Sequence, residues 1–191
     1  MDQVVFFHRC DGAKEARDLK KVDAMKEQQP QIELAPIGII RTPYEEHAPY
    51  QPIAEDRGDF RIEVFPAYQD GLLRLNRFHY IYVIYRLHKT AGDHSLHVNP
   101  PWTADTTVGV FASRSPRRPN RIGLSIVRVK KIEENVLTTS GLDVFDGTPL
   151  LDIKPYIQEL DVKTSANYGW LDDIDDRDHL MLHIKGIPHD S

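Results

Sequence analysis

From Glu33 onward the chain advances in short apolar runs, each stopped by proline, glycine or a charged cluster. Residues 59–65 show the pattern most cleanly. Phe60, Ile62 and Val64 fall on one side, and Asp59, Arg61 and Glu63 on the other. Such alternation gives a half-buried strand. Further strands are expected at 33–41 (broken by Pro36), 79–87, 108–112, 123–129, 136–144 and 179–185. Residues 71–78 suit one or two helical turns. The polar segment 130–135 between two strands predicts a hairpin. Many short strands separated by turn signals restrict the fold to a mainly β domain, and a small β-barrel is the expectation.

Residues 1–33 read differently. Val4 to Phe7 is a short apolar run, and Asp11-Gly12 breaks it. From Ala13 to Gln29 the residues are helix formers, with Ala13, Ala16, Leu19, Val22 and Met25 making a narrow apolar stripe. Pro30 ends that helix. The expected organisation is an N-terminal strand and helix over 1–33, the barrel over 34–170, and an acidic loop with a last strand over 171–191. No apolar run approaches the roughly 20 residues of a membrane helix, and no signal peptide is visible. Cys10 is the lone cysteine among 191 residues, so the chain has no internal disulfide. A cytoplasmic protein is expected.

The eleven glycines are dispersed, with no G-x-G-x-x-G or Walker A loop, which disfavours a doubly wound nucleotide-binding domain. No G-x-S-x-G elbow is present. The pairs His94/His97 and His179/His183 lack supporting ligands, and no metal site is assigned.

Three segments combine residue types that core packing does not require. Residues 109–125 read GVFASRSPRRPNRIGLS. Pro116 and Pro119 stiffen a loop bearing Arg114, Arg117, Arg118 and Arg121, a set suited to phosphates or carboxylates. Residues 142–156, LDVFDGTPLLDIKPY, place Asp143, Asp146 and Asp152 around a D-G-T-P turn. Residues 36–51, PIGIIRTPYEEHAPYQ, are a strand followed by a proline-punctuated loop, a candidate lid.

These segments, together with LHKT at 87–90, identify a resemblance over roughly residues 35–170. The chain resembles the TsaA-like proteins, the family of the tRNA N6-threonylcarbamoyladenosine N6-methyltransferase (TrmO). The resemblance implies a non-Rossmann barrel that binds S-adenosyl-L-methionine, and a homodimer. It also implies methyl transfer to N6 of threonylcarbamoyladenosine at position 37, in the anticodon loop of tRNA. The family's cofactor contacts match Arg114, Leu124, Ser140, Gly141, Leu142 and Asp143. They also match His88, Lys89 and Thr90, and, in the lid loop, Pro49, Tyr50, Gln51 and Pro52. Arg121 stands where the family usually has proline, and Tyr50 where its lid commonly has arginine.

Methyl transfer from a sulfonium is an in-line displacement in which alignment carries much of the catalysis. The ureido N6 has a delocalised lone pair, so a group that removes its proton assists. Asp143, Asp146 and Tyr44 are the candidates. Arg114, Arg117, Arg118 and Arg121 are assigned to the RNA backbone or to carboxylates. Three alternatives remain open: a methyltransferase for a small molecule or a protein, a non-catalytic cofactor-sensing module, and a plain RNA-binding module. The net charge of −5 disfavours a broadly basic RNA coat. Residues 114–131 nevertheless carry seven positive side chains and no acid, and phosphate contact depends on the local field.

Overall fold

The computed structural model describes residues 32–49, 58–100, 103, 106–185 and 187. The expected N-terminal strand and helix, and Tyr50, Gln51 and Pro52 of the lid, lie outside the described residues. Contacts group 35–191 into one compact unit.

The described residues form eight strands: β1 (Gly38–Arg41), β2 (Arg61–Val64), β3 (Tyr80–Arg86), β4 (His97–Val98), β5 (Val108–Gly109), β6 (Ile122–Glu133), β7 (Val136–Thr139) and β8 (Thr148–Pro155). Six of them pair antiparallel in the order β1-β2-β7-β6-β3-β8, and β8 returns to β1, so the pairings close into a barrel. β4 and β5 form a separate two-stranded ribbon.

Two strands of the closed barrel change neighbour along their length. β6 pairs β3 from Ile122 to Arg128 and then β7 from Val129 to Glu133. β8 pairs β1 through Thr148–Leu150 and β3 through Leu150–Pro155. Register shifts at Val129/Lys131 and at Ile84/Tyr85 mark these crossovers. Such irregularities bend a strand and tighten its twist, which a small barrel needs. The β6–β7 hairpin turns through Glu134 at φ +52°, and Asn135 ties the turn to β2 by donating from Nδ2 to the Val64 carbonyl at 2.6 Å.

Alternate residues point inward. Ile40, Phe60, Ile62, Ile81, Val83, Val127, Leu137 and Leu150 are fully buried and form the core with Val64, Tyr85, Leu142 and Val144. The expected turns at 71–78 are two 3-10 segments, Pro66–Leu72 and Leu75–Arg77. Three expected strands are shorter than the pattern suggested, and the one expected at 33–41 begins only at Gly38. β5 passes at Val110 into a 3-10 turn, and β7 stops at Thr139, where the chain leaves the sheet.

The strand expected at 179–185 is instead a helix, Arg177–Lys185. Asp176 caps it: its Oδ1 accepts from the His179 N–H at 3.0 Å and its carbonyl from the Leu180 N–H at 3.1 Å. A side-chain cap of this kind satisfies first-turn amides that a strand would pair across a sheet. The alternation of Leu180 and Leu182 therefore did not set the local structure. No helix among the described residues is long and apolar enough to cross a membrane.

Candidate functional site

β1 ends and β8 begins at one edge of the barrel, and the loops that follow β1 and precede β8 are laced together there. The Thr42 N–H donates to Asp146 Oδ1 at 3.1 Å, and its hydroxyl to the Val144 carbonyl at 2.7 Å. The Asp146 N–H donates to the Tyr44 carbonyl at 2.7 Å. Arg41 bridges Asp146 Oδ2 at 3.4 Å and Glu63 Oε2 at 3.2 Å. Gly147 follows at φ +76°, a left-handed conformation that favours glycine. Both oxygens of Asp146 are thus engaged in holding the turn. The Tyr44 ring packs on the core, 5.9 Å from that of Phe60.

The polar end of β3 joins the same turn. The Thr148 hydroxyl donates to the Phe145 carbonyl at 2.7 Å, so it accepts from His88 Nδ1 at 3.2 Å. That assignment places the ring proton on Nδ1 and leaves Nε2 as an acceptor. Burial, followed by the nearby charges of Lys89 and Arg86, lowers the His88 pKa and favours this neutral form. Lys89 donates to the Glu45 carbonyl at 2.9 Å and stands 5.3 Å from the Phe145 ring centroid. Thr90 donates to the Leu87 carbonyl at 3.2 Å.

Asp143 occupies a different setting. It is half-buried, and its Oδ1 lies 3.5 Å from the Ser125 hydroxyl. Ser125 Oγ is in turn 3.0 Å from the phenol of Tyr85, which is 4% exposed. Burial raises the Asp143 pKa above its ordinary value, and it prevails over three opposing influences: its own backbone amide, Ser125 and Arg114. Burial, reinforced by the charge of Asp143, pushes the Tyr85 phenol up to about 12. Tyr85 is therefore protonated and able to donate to Ser125. Arg114 acts electrostatically on both Tyr85 and Asp143.

The four arginines of the 114–121 loop divide in use. Arg117 Nε donates to the Asp93 carbonyl at 3.3 Å. Arg118 Nη1 donates to the carbonyls of Val110 and Ser113 at 3.2 and 2.8 Å. Arg121, at φ +48°, donates to the Thr90 and Gly92 carbonyls. These three brace the loop against its neighbours. Arg114 is exposed and donates to no described carbonyl or carboxylate in this way, so its guanidinium is open to a ligand.

Of the residues singled out from sequence, Asp143 and Arg114 come together, and Tyr44, His88, Lys89 and Asp146 gather around the adjoining turn. Pro49 is half-buried. Leu142 is in the core, and Ser140 Oγ accepts from the Arg128 N–H at 3.0 Å on β6 beside Gly141. Leu124 points away from the barrel interior and is 56% exposed. Sequence reasoning missed Tyr85 and Ser125. Their signal was a hydroxyl at an inward position of each of two otherwise apolar strands.

Fold and site together define the class: a closed antiparallel barrel, with no dinucleotide fold among the described residues, that gathers a half-buried carboxylate and an exposed guanidinium at loops between its strands. Residues 39–162 match the tRNA-methyltransferase O N-terminal domain, and the chain belongs to that family. A probable S-adenosyl-L-methionine-binding protein of Pyrococcus abyssi is 42% identical over 139 residues, which span 72% of this chain and 74% of that protein. The mouse tRNA (adenine(37)-N6)-methyltransferase is 38% identical over 102 residues, 53% of this chain and 24% of the mouse protein. The crystal structure of TrmO from Pseudomonas aeruginosa superposes with a TM-score of 0.60 at 31% identity, covering 73% of this chain and 62% of that one. The chain thus spans less than two thirds of the solved structure and about a quarter of the mouse protein.

Proposed function

We propose that this protein transfers a methyl group from S-adenosyl-L-methionine to N6 of threonylcarbamoyladenosine at position 37 of tRNA. The observation that carries the reading is a half-buried Asp143, its pKa raised by burial, under the electrostatic influence of an exposed Arg114, in segments that match the methyltransferase family. The residues present suit the cofactor. Arg114 offers a guanidinium to a carboxylate, Asp143 a negative charge to a cationic group, and His88 Nε2 an acceptor to an amino group.

When bound, S-adenosyl-L-methionine supplies an electrophilic methyl group. The methyl carbon's bond to sulfur would break, leaving S-adenosylhomocysteine, as N6 forms its bond to that carbon, and Asp143 would take the N6 proton. A carboxyl with a raised pKa is the stronger base for this step. The Ser125 hydroxyl, oriented by Tyr85, donates to Asp143 and favours its ionised form against the effect of burial. Arg114 holds a carboxylate, that of the threonyl group or of the methionine. Asp146 and Tyr44 keep the neighbouring turn in place, so Asp143 is the base in this reading. Arg117, Arg118 and Arg121 fix the loop, and their charge draws in the RNA.

The proposed homodimer uses the outer face of β3 and β6, where Ile122, Leu124 and Ile126 are 40–56% exposed and Leu124 and Ile126 lie directly opposite Ile84 and Tyr82. With its tRNA substrate, the protein is placed in the cytoplasm.

The test incubates the full chain with S-adenosyl-L-methionine and tRNA bearing threonylcarbamoyladenosine, then digests the tRNA for mass spectrometry. Appearance of the N6-methylated nucleoside supports the reading, and cofactor binding without transfer overturns it. That second outcome would favour a non-catalytic cofactor-binding module, a reading consistent with the name of the Pyrococcus relative.

A further inference from the structure

We propose that Phe111 is a stacking platform for an unpaired base of the substrate RNA, next to the nucleotide that is methylated. The proposal rests on the tRNA reading above. Phe111 is 77% exposed, an unusual setting for a large apolar ring. Its turn, by contrast, is fixed. Val110 is 1% exposed, and the Val110 carbonyl accepts from the Ser113 N–H, the Ser113 hydroxyl and Arg118 Nη1. On the other side, the Trp170 indole N–H donates to the Ala112 carbonyl at 2.9 Å. The ring is therefore held out in solvent by a rigid 3-10 turn.

What surrounds the ring identifies its partner. The Arg118 guanidinium stands 6.0 Å from the Phe111 ring centroid. The chain carries no acidic residue between Asp105 and Glu133, and Arg114, Arg117, Arg118 and Arg121 lie in that interval. Guanidinium groups beside a flat, exposed aromatic face match single-stranded RNA, whose phosphates meet the charges and whose bases stack on the ring. A second copy of the chain fits less well, because a two-fold contact would bring the same arginines face to face. Phe111 precedes Arg114 by three residues, so their Cα atoms are at most about 11 Å apart. Arg114 acts electrostatically on Asp143, which puts the platform within reach of a nucleotide neighbouring the reaction centre.

Two measurements on the full chain test this. One is equilibrium binding of a synthetic anticodon stem-loop RNA, which needs no methyl donor. The other is methyl transfer to threonylcarbamoylated tRNA. Phe111→Ala is expected to weaken stem-loop binding and to raise KM for tRNA, each roughly tenfold. Cofactor affinity and kcat at saturating tRNA should be unchanged, and Phe111→Tyr should restore binding. The salt dependence of binding should keep its slope, since no phosphate contact is removed. Unchanged stem-loop affinity in Phe111→Ala overturns the proposal. So does a shift in oligomeric state in place of RNA affinity, or a loss that Phe111→Tyr fails to restore. Wild-type protein that binds the stem-loop through Phe111 yet transfers no methyl group overturns the proposed reaction and leaves the platform standing.

Discussion

The phenol of Tyr85 and the hydroxyl of Ser125 face each other across β3 and β6 at 3.0 Å, inside a mostly apolar barrel wall. The Tyr85 pKa, at about 12, keeps the phenol protonated, so it donates to Ser125, whose own proton then points to Asp143. The Ser125 hydrogen bond lowers the Asp143 pKa against the effect of burial. Ser125→Ala removes that influence, so the Asp143 pKa rises further. The acidic limb of the kcat–pH profile should then move to higher pH, and Tyr85→Phe should move it less in the same direction. A steady-state pH series on the three proteins checks this. An unmoved limb with reduced kcat would mean that the pair acts on packing alone.

Gly123 is what lets Tyr85 sit there. The two residues are directly paired between β6 and β3, and a Cβ on Gly123 would stand 2.1 Å from Tyr85 Cε2. The ring fills the space that a side chain would take, much as an aromatic covers a glycine in other sheets. Gly123→Ala should force Tyr85 off Ser125 and destabilise the barrel by about 1–3 kcal/mol. Urea unfolding with an unchanged m-value would report it, and activity should fall along with stability.

Arg114 and Arg121 belong to one loop but are expected to fail differently. Arg114→Ala should leave the melting temperature unchanged and cut kcat/KM by about 10²-fold or more, as for loss of an anchoring charge at a reaction centre. Arg121→Ala removes the tie to the Thr90 and Gly92 carbonyls and should raise protease sensitivity near those residues. Its effect on cofactor affinity should be smaller than that of Arg114→Ala. Calorimetric binding of S-adenosyl-L-methionine with limited proteolysis separates the two.

The strands were legible where one face is wet and the other dry, as in β2 and in the N-terminal half of β6, because alternation there reports burial directly. The C-terminal helix was not, since Leu180 and Leu182 alternate in sequence while the Asp176 cap decides the backbone. Asp143 and Arg114 were singled out from the residue types of their segments and again through motif likeness. Tyr85 and Ser125 were not, because their meeting depends on the register between β3 and β6, a non-local pairing that neither strand encodes alone. The same register turns Leu124 outward, away from Asp143, which a linear motif does not reveal.

That outward face supports a prediction on assembly. Ile126 is 51% exposed on β6, directly opposite Tyr82 on β3. Ile126→Asp should convert a dimer to a monomer in sedimentation velocity without loss of the barrel's far-ultraviolet spectrum. A wild-type protein that sediments as a monomer at assay concentration would remove the dimer from the proposal.

Asp143→Asn should separate stability from function. Burial holds the folded-state pKa of Asp143 above its unfolded value, so the native state disfavours the charge more than the unfolded chain does. Between the two values the native state binds more protons, and wild-type stability falls as pH rises through that window. Above the folded pKa the penalty is present in full. Asparagine keeps an acceptor for Ser125 and carries no charge, so the variant should melt at a higher temperature than wild type at neutral pH. The difference should close as pH drops below the ordinary carboxylate range. Methyl transfer should fall by roughly 10²–10⁴-fold, the usual worth of a positioned base. Calorimetric melting across pH, run beside the transfer assay, distinguishes this pattern from simple damage, which would lower both quantities together.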